Sequence, residues 1–248
     1  LIELANIALS SEELEFLRTQ CKYLTANYLE YIGSFRFRPS EQVQVSFTPN
    51  NDTGSDSDIG PVVIRVAGSW VDTILYEIPL LALISETYFK FCDRSWSYDG
   101  QLELAQRKGE QLLKGGCVFS EFGSRRRRDY KTQELVLKGL VEASQDGERI
   151  GWSGKLSGTS NVHFAMRFGL PPIGTVAHEW FMGVAAITGD YEHANEIALK
   201  YWVGTFGPGV GVSLMSFAQF PNKQIGPRYC SDRHFWDESF PRGIQTAN

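Results

Sequence analysis

Gly174-Thr175-Val176-Ala177-His178-Glu179-Trp180 is the stretch on which the reading of this 248-residue chain turns. It follows a short apolar run ending in Pro171-Pro172-Ile173 and opens a helix-like segment, 180–187. Residues 173–176 read as a short strand, which places His178 where a strand turns into a helix. Enzymes built on parallel α/β sheets keep their chemistry at such positions. Working outward, the same rhythm recurs. Strand 117–121, helix 131–142, strand 155–158, helix 162–168 and strand 173–176 precede helices 180–187 and 191–206. Strands alternating with helices through brief glycine-bearing connections predict a parallel α/β layout, either a barrel or an open sheet.

Before Gly115-Gly116 the pattern is different. Ser10-Ser11-Glu12-Glu13 has the form of a capping box, with Ser10 as N-cap and Glu13 reaching back. Leu14, Leu17, Cys21, Leu24 and Tyr28 then recur at helical spacing, predicting a helix to about residue 31. In 42–47, Val43, Val45 and Phe47 alternate with polar residues, as in a half-buried strand. The Ser/Asp/Gly/Asn cluster 50–60 predicts a solvated hairpin loop, with 61–67 as the partner strand. A long apolar helix over 70–91 and a charged one over 101–113 complete this part. The change of rhythm places a domain boundary near Gly115.

Composition narrows the class. With 42% hydrophobic and 21% charged residues the chain reads as an ordinary soluble globular protein. A net charge of −5 argues against a general nucleic-acid binder, which carries a basic excess. No apolar run approaches the ~20 residues needed to span a bilayer. Cys21, Cys92, Cys117 and Cys230 are scattered without a Cys-x-x-Cys pair, which argues against a zinc knuckle and a disulfide framework and for a reducing, cytosolic setting.

Three segments carry candidate chemistry. In Phe119-Ser120-Glu121-Phe122-Gly123-Ser124-Arg125-Arg126, the arginines open a run that continues to Arg128. Nuclear targeting or a nucleic-acid patch is the poorer account in an acidic chain. Arg127 and Arg128 read as a solvated helix start. Arg125 and Arg126 directly follow a strand and a glycine, so they can point into a site at the strand ends, where the planar fork of Arg suits carboxylate and phosphate. In Ser157-Gly158-Thr159-Ser160-Asn161, Ser160 reads as the N-cap of helix 162–168, and the hydroxyl-rich strand end also suits an anion. The third segment holds His178, with Thr175 three residues before it and Glu179 directly after. A hydroxyl beside the ring can bind substrate, and the carboxylate can hold the imidazole tautomer or aid phosphorylation. A neutral imidazole is nucleophilic near pH 7. His163, His193 and His234 read as histidines without such a task. The glycine-rich stretch 204–211 has no Walker lysine or dinucleotide fingerprint.

In this order the three segments resemble the fungal-type nicotinate phosphoribosyltransferases, from about Leu14 to Gly207. The resemblance implies a type II phosphoribosyltransferase fold: a mixed α+β N-terminal domain, 1–115, followed by the first part of an irregular α/β barrel, 116–209, which holds the nicotinate pocket. It implies that Phe122 stacks on the pyridine ring with Arg125 beside it, and that Thr175 contacts nicotinate. It also implies that His178 is transiently phosphorylated by ATP, with Glu179 at its side. In the related nicotinamide-using enzymes an aspartate stands at the position aligned with Ser160. A neutral Ser160 does not repel a carboxylate, which favours the acid over the amide.

The implied reaction joins nicotinate to phosphoribosyl pyrophosphate, coupled to ATP hydrolysis. It gives nicotinate mononucleotide and pyrophosphate in NAD salvage. Mg²⁺ would hold the diphosphate leaving group, and no protein metal ligands are expected. A homodimer is implied for the intact family member, with small molecules as the other partners and neither nucleic acid nor membrane. The implied location is the cytoplasm, with the nucleus also open.

The chain departs from the family at both ends. The family's Thr-Asp-x-Tyr-Lys segment should precede Leu1, and an Arg-x-Asp-Ser-Gly-Asp-Pro motif should follow Gly209. Residues 210–248 are instead expected to be a retained intron, to about residue 225, followed by an exon in a shifted frame. Val212-Ser213 can be encoded by GTGAGT, a usual intron donor. Residues 229–237, shifted by one base, can become the family's Ile-Ala-Leu-Thr-Asp-Thr-Phe-Gly-Thr. The alternatives are an inactive fragment that retains only a binding or dimerisation surface, and a nicotinamide-specific or quinolinate-type phosphoribosyltransferase.

Overall fold

The chain opens with the capping box that its sequence predicts. Ser10 Oγ accepts from Glu13 N at 3.1 Å, and the Glu13 carboxylate accepts from Ser10 N at 2.8 Å. In the computed structural model, which describes residues 1–207, this cap starts helix α1 (Ser11–Gln20). The described residues belong to two compact units, 1–174 and one that begins at Thr175.

In the first unit the single helix expected to residue 31 resolves into two. Thr25 Oγ1 accepts from Tyr28 N at 3.2 Å and caps α2 (Ala26–Ser34). A threonine hydroxyl that takes a nearby amide competes with the helix ladder, so a new helix starts there. Leu17, Cys21 and Leu29 bury together between α1 and α2. After α3 (Pro39–Gln42), strands β1 (Val43–Phe47) and β2 (Val62–Val66) pair antiparallel, with Val43 opposite Val66 and Phe47 opposite Val62. The base of this hairpin packs on Leu4, Phe37, Tyr76 and Leu80. Tyr76 Oη donates to Gln42 Oε1 at 3.0 Å and accepts from Arg38 N at 2.9 Å, so the buried phenol is satisfied on both sides. The core reaches only Val43, Ile64 and Val66, while Val45, Phe47 and Val62 on the same face are exposed.

The expected helix 70–91 is also interrupted, as α4 (Trp70–Thr73), a 3-10 turn (Ile74–Tyr76) and α5 (Glu77–Phe91). Pro79 explains this. A proline ring clashes with the carbonyl four residues earlier, but is tolerated in the first turn of a helix.

Helix α6 (Gln101–Lys114) leads into β3 (Val118–Glu121), helix α7 (Tyr130–Ile150) and β4 (Lys155–Thr159). The two strands are parallel, so they need a crossover, and α7 supplies it. Helix α7 runs well past the expected end at 142, to the left-handed Gly151. It lies close on α6: a Cβ on Gly139 would stand 2.6 Å from the Leu102 carbonyl oxygen, and one on Gly109 would meet Leu140 and Ala143. The compact units therefore do not divide at Gly115, because α6 before it packs on α7 after it.

The strand expected over 173–176 is not formed. One parallel bridge joins Thr159 to Pro172, with Ile173 N donating to Thr159 O at 2.9 Å and Thr159 N to Pro171 O at 3.2 Å. The bridge lies at the last residue of β4, and Ser160 and Asn161 turn away to the Glu121 carbonyl and the α8 cap, so β4 offers nothing further for 173–176 to pair with. Helix α8 (Val162–Phe168) matches its expected span. Its N-cap is Asn161, whose Oδ1 accepts from Phe164 N at 3.1 Å, not Ser160.

In the second unit α9 (His178–Thr188) and α10 (Ala194–Phe206) pack through Val176, Phe181, Val184 and Ala198. Trp180 Nε1 donates to Ala198 O at 3.1 Å. Helix α10 starts three residues later than expected, where the Asp190 carboxylate accepts from both the backbone and the ring of His193. The intron and frame-shift reading of 210–248 lies outside the described residues. Among the described residues no helix is long and apolar enough to cross a membrane.

Gly158 fixes how 171–173 dock. Its φ is +153°, and a Cβ there would stand 2.1 Å from Pro171 O. Replacing Gly158 with Ala should destabilise the protein by about 2–4 kcal/mol, combining a left-handed backbone penalty with overpacking against backbone. Urea unfolding of the two proteins measures it, and a loss below 0.5 kcal/mol (roughly the surface range) would contradict this docking.

Candidate functional site

The parallel pair ends in two short segments that leave the sheet side by side, 121–126 after β3 and 159–161 after β4. At the last residue of β3 the chain buries a carboxylate: Glu121 is 8% exposed. Its oxygens accept from Thr159 Oγ1 at 2.6 Å, from Gln133 Nε2 at 3.0 and 3.1 Å, and from Gly123 N. A buried carboxylate is tolerable when several donors replace water, and here all of them are neutral. The bond to Gly123 N folds the chain back directly after the strand. A Cβ on Gly123 would lie 2.6 Å from Glu121 Oε1, so a side chain there would push the carboxylate from its place.

The network extends to both segments. Asn161 Nδ2 donates to Ser124 Oγ at 2.9 Å, Gln133 Nε2 to the same oxygen at 3.0 Å, and Ser160 N to Glu121 O at 2.9 Å. Phe122, Arg125 and Ser160, expected as a group, are thus borne on neighbouring turns tied by shared hydrogen bonds. Phe122 is 36% exposed, so its ring has a face outside the core. Ser160 is half-buried, and its hydroxyl is not engaged in the α8 cap, which Asn161 makes. Arg125 Nη2 lies 3.1 Å from Glu77 Oε1, with both side chains partly exposed.

The arginine run is not uniform, and two of its members correct the solvated reading. Arg128 lies over the rings of Phe89 and Trp96, 4.0 and 4.4 Å from their centroids, and donates to Asp93; its side chain is 16% exposed. Arg127 donates to Gln133 Oε1 at 3.1 Å, and its Nε is buried. The delocalised guanidinium plane is weakly hydrated and stacks on aromatic faces, which lets two cations go under cover. Arg126 is exposed.

Thr175, His178 and Glu179 lie in the second unit. His178 is the first residue of α9, reached through an extended segment rather than a strand end. The N-cap, Ala177, makes no side-chain cap, and Glu179 is the acidic residue of the first turn. Thr175 lines an aromatic groove of about 320 Å³ with Trp180, Tyr201, Trp202 and Phe206. Among the described residues no three His, Cys, Asp or Glu side chains gather to hold a metal ion.

Glu121, Gln133, Thr159 and Asn161 were not singled out from sequence as site residues. One signal was present: Gln133 falls in helical register with Leu137 and Leu140, so a polar group interrupts the buried stripe of α7. Such an interruption needs a polar partner.

Comparison with known proteins adds to this geometry. The model of the nicotinate phosphoribosyltransferase N-terminal domain matches residues 1–85, and that of the nicotinate phosphoribosyltransferase family matches 117–220. A probable nicotinate phosphoribosyltransferase of Schizosaccharomyces pombe is 46% identical over 85% of this chain and 49% of its own. The nicotinate phosphoribosyltransferase of Saccharomyces cerevisiae is 50% identical over 74% of this chain and 42% of its own. The crystal structure of a putative nicotinate phosphoribosyltransferase from Saccharomyces cerevisiae superposes with a TM-score of 0.76 at 46% identity, covering 83% of this chain and 49% of that one. The chain spans about half the length of the curated relatives it matches.

The differing burial of the arginines is directly testable. Arg128→Ala should cost about 2 kcal/mol, through lost stacking and an unpaired Asp93, while Arg126→Ala should stay within roughly 0.5 kcal/mol. Thermal unfolding of both variants at one ionic strength reads the difference. Equal, small effects would return Arg128 to the solvated class.

Proposed function

The chain belongs to the nicotinate phosphoribosyltransferase family, and on that premise we propose that it serves the transfer of a phosphoribosyl group to nicotinate, coupled to ATP hydrolysis. The products are nicotinate mononucleotide, pyrophosphate, ADP and phosphate. The observation that carries this reading is the pairing of the 121–126 and 159–161 turns. It sets an aromatic ring, a guanidinium and an uncharged hydroxyl at the C-terminal ends of two parallel strands. Ligands of α/β proteins bind at those ends.

In this proposal Phe122 packs against the pyridine face and Arg125 takes the carboxylate in exchange for, or alongside, its Glu77 partner. Ser160 offers a neutral group where a carboxylate would repel the acid. Thr175 adds a polar contact to the ring. The ring nitrogen attacks the anomeric carbon of the phosphoribosyl group as pyrophosphate departs. Mg²⁺ would accompany the diphosphate; among the described residues no group of His, Cys, Asp or Glu forms a cage for it.

His178 is the proposed phosphoryl acceptor, with Glu179 as its neighbour. Its place at the first residue of an 11-residue helix supports this, because the helix dipole favours an added negative group there. We assign the 1–115 and 116–209 division to the two functional parts of the family. The two family matches, which leave 86–116 between them, are consistent with that division. Dimerisation and a cytoplasmic or nuclear location belong to the same proposal.

Two experiments test it. Incubation with γ-phosphate-labelled ATP should place an acid-labile, base-stable label on His178, and His178→Ala should abolish it. Label that survives the substitution moves the acceptor elsewhere. Arg125→Ala should weaken nicotinate binding by one to two decades, the loss of roughly 1.5–3 kcal/mol for a charge-assisted bond. Ser160→Asp should shift preference from nicotinate toward nicotinamide. Calorimetric titration with both ligands reads these effects, and unchanged affinities would remove both residues from the pocket.

A further inference from the structure

The hydrogen bonds around Glu121 run in one direction only. Arg127 has donors and no acceptor, so the Gln133 atom that faces Arg127 Nη1 at 3.1 Å must be Oε1. That fixes Nε2 toward Glu121, which as a carboxylate has acceptors and no donor. The amide of Gln133 therefore carries a single phase from a cation to an anion. Turning the amide over would set donor against donor at Arg127 and acceptor against acceptor at Glu121. Glu121 holds Gly123 N, Gln133 holds Ser124, and Ser124 accepts from Asn161, so this line of bonds contacts both turns.

We propose that Glu121 and Gln133 form a positioning pair that sets the 121–126 turn, and with it the directions of Phe122 and Arg125 toward the substrate. Neither residue touches the substrate; both act through the turn. The link to nicotinate rests on the function proposed above, whereas the setting of the turn does not.

The directionality makes a sharp test possible. Glu121→Gln keeps the shape but leaves a single acceptor oxygen, so an amide donor stands beside Gln133 Nε2 where the second oxygen was, and flipping Gln133 only moves the conflict to Arg127. Gln133→Glu keeps the Arg127 bond but sets two carboxylates against each other in a buried place. The double exchange, Glu121→Gln with Gln133→Glu, gives a compatible set again: the residue 133 carboxylate accepts from Arg127 and from the residue 121 amide, with the bond between 133 and 121 now running the other way. The Thr159 hydroxyl can then turn to accept.

The turn carries its own reporter, because trypsin cleaves after arginine and Arg125 and Arg126 lie within it. In the whole 248-residue chain, with products mapped by mass spectrometry, each single substitution should speed cleavage after Arg125 or Arg126 about tenfold. The double exchange should return it to within about threefold of the parent.

Singles that cleave at the parental rate, or a double exchange no better than the singles, overturn the proposal. If a single fails to fold by circular dichroism, the double exchange decides. A folded double with parental cleavage supports the pair, and an unfolded one refutes it. Steady-state kinetics add the substrate arm: the singles should raise KM for nicotinate with kcat and KM for phosphoribosyl pyrophosphate little changed. Parallel losses in all three parameters overturn the link to substrate. A parent that neither binds nor uses nicotinate fails the functional reading, and the cleavage series still decides the pair.

Discussion

A carboxylate withdrawn from water at the end of β3 sets conditions on much of what surrounds it. The Glu121 carboxylate needs several donors at once, and they come from three separate places, its own turn, α7 and β4, while Ser160 N donates to its backbone carbonyl. Meeting that demand brings the C-terminal ends of the two parallel strands together. It also sets the carboxylate against any side chain at position 123 and gives α7 a polar anchor on an otherwise apolar face. Breaking a satisfied buried charge costs far more than a surface contact, because the group left behind cannot regain water. The local geometry therefore follows from one ion and its solvation.

The second unit solves a different problem. Its core is small and aromatic, and Trp180 contributes both a ring against α10 and an N–H to the Ala198 carbonyl. The indole thereby connects the first turn of α9, where His178 lies, to the middle of α10. For the phosphoryl-acceptor role proposed for His178, this bond would help to hold α9 in register with its neighbour.

Local chemistry was well legible in the sequence. The Ser10–Glu13 box, the hairpin about 50–60, and the spans of α6 and α8 followed from side chains acting on nearby backbone. So did the strand-and-helix alternation that begins at β3. Where the reading failed, a neighbour had been weighed wrongly: Thr25 restarts a helix, Pro79 interrupts one, and β4 ends at Thr159, too early to pair with 173–176. The candidate site was legible only as motifs. Phe122, Arg125 and Ser160 stood out, but the groups that hold them did not, because Gln133 and Thr159 lie 12 and 38 residues from Glu121 and no local pattern joins them.

Four identical letters in succession count as one feature in a composition table, yet the fold gives each its own address. Arg125 meets a carboxylate from α5, Arg126 stands in solvent, Arg127 abuts an amide, and Arg128 lies between two rings. A substitution score that treats arginine and lysine as near equals would be fair at 126 and misleading at 128, where a planar ion is what fills the slot. Tolerance to change in this stretch is therefore a property of single positions, and an average over the run describes none of them.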